Sequence, residues 1–194
     1  MELIFATQNI NKAKEIQALV PKTIAIKTLK EIGCNEDIPE TAPSLEGNAK
    51  QKANYVFENY KVNCFADDTG LEIDALNGEP GVFSARYAGP QRDSNDNMDL
   101  VLEKLKGKSN RKARFKTVIS LILNGENHIF EGVVNGTITE QKSGMEGFGY
   151  DPIFKPDGFD STFSEMSMED KNSISHRGIA VRKLVEFLSN KVSY

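Results

Sequence analysis

In the stretch Asn63-Cys64-Phe65-Ala66-Asp67-Asp68-Thr69-Gly70, an apolar run meets two adjacent carboxylates, a hydroxyl and a glycine. The spacing reads as a buried strand that ends in a polar turn, with residues 71–76 starting another strand. Carboxylate oxygens are hard ligands that suit Mg²⁺, and a strand end holds them more firmly than a free loop. The glycine lets a bulky anionic ligand come close to the backbone. Asp-Asp-x-Gly is equally good turn chemistry, so the motif alone leaves both readings open.

The rest of the chain reads as mixed α/β. Residues 3–6 form a short apolar strand, and a polar turn follows over residues 7–11. A helix then carries Ala13, Ile16 and Val20 at helical spacing until Pro21 stops it. Residues 23–29 alternate like a second strand, and Ser44 caps a helix over residues 45–60. Another helix spans residues 93–106, closed by Gly107. Residues 114–123 and 127–139 read as a hairpin about Asn124-Gly125, and a last helix covers residues 176–188. The stretches 30–44, 77–92 and 140–175 read as loops, and loops of that length in a compact domain are usually functional.

With 194 residues, the chain is expected to form one domain over 1–194. A formal net charge of −4 argues against gripping a nucleic-acid backbone or an anionic membrane. Cys34 and Cys64, the only two cysteines, fit no metal spacing and read as buried fillers in a reducing compartment. No apolar run approaches the roughly 20 residues of a membrane span, and the N-terminus turns polar too early for a secretory signal. A soluble cytoplasmic protein is the expectation.

Four polar segments carry chemistry. Thr7, Gln8, Asn9 and Lys12 surround the start of the first helix, whose free N–H groups and dipole suit phosphate. No glycine is present there, so this is not a P-loop. Glu40, in a loop bounded by prolines, is placed to complete a Mg²⁺ site with Asp68, and Lys52 to reach a phosphate oxygen; solvated surface charges are the plainer reading. In Phe148-Gly149-Tyr150-Asp151, an aromatic beside glycine invites a flat partner such as a nucleobase, with Asp151 accepting from a base N–H, and a buried loop anchor is an equal reading. Lys171 and then Ser175-His176-Arg177-Gly178 bring base and cation to the start of the last helix, against the dipole preference. An Arg fork there suits a keto oxygen or a phosphate.

Taken in order, these stretches resemble the inosine triphosphate pyrophosphatase family. The matching residues are Thr7-Gln8-Asn9 with Lys12, Glu40-Thr41, Asn48-Ala49 with Lys52 and Ala66-Asp67-Asp68-Thr69-Gly70-Leu71. Gly81-Val82-Phe83-Ser84-Ala85-Arg86-Tyr87, Phe148-Gly149-Tyr150-Asp151-Pro152 and Ser175-His176-Arg177-Gly178 complete the set. Gln8 stands where many members have Gly or Asn, and Thr69 replaces the commoner Ser. The resemblance implies an α/β/α fold with a mixed sheet, two lobes and a central active-site cleft, a homodimer and dependence on Mg²⁺. It also implies hydrolysis of noncanonical purine nucleoside triphosphates such as ITP, dITP and XTP to the monophosphate and pyrophosphate, cleansing the nucleotide pool. Glu40 and Asp68 are then expected to hold the metal, with Asp67 as an outer partner. Asp68 and Lys52 would be catalytic, with Asp68 activating water. Thr7, Gln8, Asn9, Lys12, Lys52 and Thr69 would bind the substrate, as would Phe148, Gly149, Tyr150, Asp151, Lys171, His176 and Arg177. A donor such as Arg177 would accept the 6-keto bases and reject adenine, by analogy with other sites built to donate a hydrogen bond. The competing readings are a pyrophosphatase for modified pyrimidine or methylated nucleotides and a non-catalytic nucleotide-binding module.

Overall fold

The computed structural model describes residues 1–192. Its six strands lie in one mixed sheet of order β2-β1-β3-β4-β5-β6. The strands are β1 (Glu2–Phe5), β2 (Ala25–Thr28), β3 (Cys64–Ile73), β4 (Lys112–Leu123), β5 (Glu126–Ile138) and β6 (Phe154–Pro156). The helices are α1 (Ile10–Leu19), α2 (Leu45–Tyr60), α3 (Ser94–Lys104), α4 (Met168–Ile174) and α5 (His176–Val192). β1 runs parallel to both β2 and β3, and β5 is antiparallel to β6.

The chain clusters into two compact units. The first holds residues 1–68, 117–132 and the last helix from Arg177; the second holds residues 69–116 and 133–176. β3, β4 and β5 each pass from one unit into the other.

In the first unit, β1 and β3 are buried on both faces, so successive residues enter different cores. Leu3, Phe5 and Phe65 pack with Ile16 of α1 and with Ala180, Val181 and Leu184 of α5. The Phe5 and Phe65 rings stack at 4.6 Å. Ile4, Ala6, Cys64 and Ala66 pack instead with Ala53 and Val56 of α2. The second unit has a separate core in which Leu71, Ile73, Val101, Phe115, Phe154 and Phe163 meet.

Local signals account for several boundaries. Ser44 accepts from the Gly47 N–H at 3.1 Å, as an N-cap should. Asn124 (φ 52) and Gly125 (φ 85) both adopt the left-handed geometry of a tight hairpin. Cys34 and Cys64 are buried and free, and burial raises the Cys64 thiol to about 12.

Two expectations are corrected. Asp67 to Gly70 do not form a turn between strands, because β3 runs unbroken from Cys64 to Ile73. Its polar residues are tolerated in a central strand because buried partners meet them from both sides. Residues 140–175 are not simply a loop either, since they contain β6 and α4.

Candidate active site

The unbroken course of β3 decides where the adjacent carboxylates point. Side chains alternate along a strand, so Asp67 shares the face of Phe65, toward α1 and α5, while Asp68 shares the face of Ala66, toward α2.

Asp67 is fully buried. Lys12 of α1 donates to its Oδ1 at 3.1 Å, and Arg177 of α5 lies 3.4 Å from its Oδ2. The same guanidinium donates through Nη1 to Glu15, another buried carboxylate of α1. Burial alone would raise the Asp67 carboxyl, but Lys12, Arg177 and Lys52 outweigh it and hold the group well below the usual range.

Asp68 is 8 % exposed, and Asn48 of α2 donates to its Oδ2 at 3.0 Å. One turn further along α2, Lys52 donates to the Asp67 carbonyl at 2.7 Å and to the Glu40 carboxylate. Burial pushes the Asp68 carboxyl up; Lys52 and Lys12 pull against it, and Glu40 adds to the rise. Burial also opposes charge on Lys52, yet Asp67, Asp68 and Glu40 keep its pKa above the ordinary lysine value. Lys12 moves the other way: burial lowers it, Asp67 opposes this, and Lys52 and Arg177 add to the fall. Two neighbouring carboxyls driven in opposite directions are the arrangement that separates an ionised anchor from a proton acceptor.

The turn before α1 is organised by its own side chains. Asn9 accepts from the backbone of Asn11 and Lys12 at 3.0 and 3.2 Å, so the helix N-terminus is capped internally. Thr7 accepts from the Asn9 N–H at 3.1 Å. Gln8 donates to the Glu36 carbonyl at 2.9 Å, reaching the loop that carries Glu40.

The remaining sequence-selected residues belong to the second unit, apart from Arg177. Asp151 accepts from Lys171 Nζ at 2.6 Å and from the Phe148 N–H at 2.8 Å. Lys171 sits 4.9 Å from the Phe148 ring centroid and 5.7 Å from that of Phe163. His176 stacks on Phe115 with centroids 4.5 Å apart. Gly149 has φ 64, a left-handed turn that favours glycine. Thr69 is half-buried on β3. Tyr150, expected beside a ligand with its neighbours, is 5 % exposed and donates its hydroxyl to the Ser84 carbonyl at 2.7 Å.

Sequence-selected residues therefore gather into two groups. Lys12, Glu40, Lys52, Asp68 and Arg177 collect around Asp67, and Phe148, Asp151 and Lys171 collect around one ion pair. Glu15 was missed by sequence reasoning. Its signal is its place three residues after Lys12, on the face of α1 that also carries the buried Ile16.

The model of the Ham1 family matches residues 3–187. The chain belongs to the Ham1 family. It is 57 % identical over 190 residues to the dITP/XTP pyrophosphatase of Flavobacterium psychrophilum, covering 98 % of this chain and 100 % of that one. A dITP/XTP pyrophosphatase of Flavobacterium johnsoniae is 57 % identical over 189 residues, 97 % of this chain and 98 % of the relative. The solved structure of the Staphylococcus aureus Ham1 protein superposes with a TM-score of 0.90 at 37 % identity, covering 98 % of this chain and 100 % of that one. The motif-based resemblance and the mixed α/β fold are thus borne out. Among the described residues, no helix is long and apolar enough to cross a membrane.

Proposed function

We propose that this chain is a noncanonical purine nucleoside triphosphate pyrophosphatase, converting dITP, ITP or XTP and water to the monophosphate and pyrophosphate. The names of relatives at 57 % identity over nearly the whole chain support the reaction. The observation that carries the chemistry is the gathering of Lys12, Lys52, Glu40 and Asp68 about Asp67, because a triphosphate needs its charge neutralised before attack.

The donor set fits a magnesium ion. Glu40 and Asp68 offer hard oxygens, and Mg²⁺ is usually held by one or two carboxylates with water and substrate phosphates completing the shell. Among the described residues, no group of three or more His, Cys, Asp or Glu could form an all-protein metal cage. Charge balance points the same way. The cations Lys12, Lys52 and Arg177 face the carboxylates Glu15, Glu40, Asp67 and Asp68, and that excess of anions is the wrong sign for a polyphosphate. When bound, the ion would supply positive charge and acidify a water.

Asp68 would take the proton of the attacking water, since burial leaves its carboxylate more basic than its neighbour. Lys12 and Lys52 would bind phosphate oxygens, and the α1 turn from Thr7 to Asn9, including Gln8, would line that part of the substrate. Thr69 would add a hydroxyl. Asp67 would stay ionised and keep both lysines and Arg177 charged and aimed. Phe148 would stack on the base, while Gly149, Asp151, Lys171 and His176 would read its polar edge; Arg177, expected among them, is held instead in the first unit by Glu15 and Asp67. We further infer that both units belong to one folding domain, which the passage of three strands between them supports. We also propose a homodimer, which the resemblance implies, and residence in the reducing cytoplasm, which the two free cysteines suggest; a mass measurement in solution tests the former.

The deciding experiment measures pyrophosphate release from dITP, ITP, XTP, dUTP, dGTP and ATP, with Mg²⁺ and again with EDTA. Preference for the inosine and xanthosine nucleotides, abolished by EDTA, is expected. Preference for dUTP would overturn the base assignment, and binding without pyrophosphate release would make the chain a nucleotide-binding module.

A further inference from the structure

The segment Gly81-Val82-Phe83-Ser84-Ala85-Arg86-Tyr87 has no part in the chemistry above, yet it is unusually well anchored. It forms a 3-10 turn, Gly81–Arg86, whose one buried residue is Ser84. The Ser84 hydroxyl accepts from the Leu71 N–H of β3 at 2.9 Å and donates to the Gly81 carbonyl at 2.6 Å. Upstream, the Ile73 N–H donates to the Glu79 carbonyl at 3.1 Å. Downstream, Asn97 of α3 accepts from the Ala88 N–H at 2.7 Å and donates to the Ala85 carbonyl at 3.3 Å. The turn is therefore fixed to β3 on one side and to α3 on the other.

Its free carbonyl is put to one use. The Tyr150 hydroxyl donates to the Ser84 carbonyl at 2.7 Å across 66 residues of sequence. The Tyr150 ring belongs to the core of the second unit, beside Phe115 and Phe154 in the same cluster. Tyr150 lies between Phe148 and Asp151, the residues assigned to base stacking and edge reading. The Phe148 N–H bonds to the Asp151 carboxylate, which Lys171 holds from outside the loop, and the Tyr150 hydroxyl gives the loop a further outside anchor.

We infer that Tyr150 and Ser84 are positioning residues for base selection: the 81–86 turn is the rigid post to which the base-reading loop is tied. This rests on the purine pyrophosphatase reading and assigns the turn a share in its specificity. Preorganised donors and stacking faces discriminate only if held in place, and a buried hydroxyl-to-carbonyl bond between rigid elements does that.

Tyr150→Phe removes the tether and keeps the ring. The expected result is a KM for dITP raised about 2- to 12-fold, the net worth of one hydrogen bond. The ratio of kcat/KM for dITP over dGTP should fall by a similar factor, with kcat for dITP changing less than KM. Ser84→Ala keeps the carbonyl but frees the turn from Leu71 and should shift both quantities in the same direction. Hydrogen exchange of the peptide 143–153 should quicken in both variants while that of α1 stays as in the parent. A fall in kcat with the dITP/dGTP ratio intact would mark a merely structural role and overturn the inference, as would an unchanged KM and ratio. Should Tyr150→Phe not fold, the same criteria apply to Ser84→Ala. The parent protein is assayed in parallel: failure to prefer dITP there sinks the functional reading, whereas a parent that prefers dITP beside unaltered variants sinks the tether alone.

Discussion

The two clusters of candidate site residues are held together by different means. Around Asp67, order comes from charge: Lys12 and Arg177 meet its buried carboxylate, Lys52 meets its carbonyl and the half-buried Glu40, and each member depends on the balance of the others. Around Asp151, its ion pair with Lys171 is set beside the faces of Phe148 and Phe163, which add aromatic area. A cluster of the first kind fails when one charge is deleted, because the partners stay buried and unpaired. One of the second kind shares that weakness at the buried Asp151–Lys171 pair but loses affinity by degrees when an aromatic face is trimmed. The difference suits the two tasks proposed for them, since phosphate chemistry needs fixed charges and base recognition needs a fitted surface.

The sharpest way to break this contrast is to treat the adjacent carboxylates alike. Asp67→Asn removes the counter-charge of Lys12 and Arg177 and should cost about 3–5 kcal/mol of stability, read from urea denaturation. Asp68→Asn should leave stability equal or higher at neutral pH, because burial already disfavours its charged form. Its turnover of dITP should fall by about 10²–10⁴, as expected for loss of a general base. Equal stability losses in the two variants would show that the opposite faces of β3 do not divide the roles.

Titration sharpens the same point. Asp67 has a folded pKa below its unfolded value of about 3.9, so it binds its proton later in the folded state as acid is added. Its contribution to stability is present above that value and is lost as pH falls toward the folded pKa. Asp68 has the reverse sign: with its folded pKa raised, its contribution is greatest at low pH and is lost as pH rises through that pKa. The penalty of Asp67→Asn should therefore shrink below about pH 4. Urea midpoints measured from pH 7 down to pH 3 check this, and a penalty that grows in acid would reverse the assignment.

On the aromatic side, Phe148→Ala should cost about 1–3 kcal/mol of nucleotide binding, the worth of one stacking face. The loss should appear in KM and in discrimination between dITP and dGTP, with the melting temperature little changed because Phe148 is only half-buried. A loss confined to kcat would move Phe148 out of base recognition.

What could be read from the sequence follows the range of the interactions. The helix after Ser44 and the hairpin at Asn124-Gly125 rest on contacts a few residues apart, and both were legible to within a residue or two. The course of β3 through Asp67 and Asp68 was not. Their polar character matches a turn until Lys12 and Arg177, 55 and 110 residues from Asp67, are brought against it. Glu15 was invisible for the same reason, since its guanidinium partner lies 162 residues away. β6 has three residues and is fixed by pairing with Gly136 to Ile138 rather than by any pattern of its own. The identities of Lys12, Glu40, Lys52 and Asp68 were readable from ordered motifs, but their meeting point depends on the alternation of a strand that runs on through the expected turn.

The smallest effect expected concerns Gln8. Its amide reaches the Glu36 carbonyl, but the residue is exposed, so this bond is worth at most about 1 kcal/mol. Glu40, further along the same loop, has a stronger hold in the buried Lys52 ammonium. If ion pairing governs the charged cluster, Gln8→Ala should raise the Mg²⁺ concentration for half-maximal rate by less than about fivefold, the equivalent of one weak hydrogen bond. Lys52→Gln should shift it further and in the opposite direction at matched nucleotide saturation, lowering it, since it removes a cation beside the site and leaves Glu40 free for the ion. A larger shift from Gln8→Ala than from Lys52→Gln would mean that a neutral surface bond, and not the convergence of charges, sets the position of the Glu40 carboxylate.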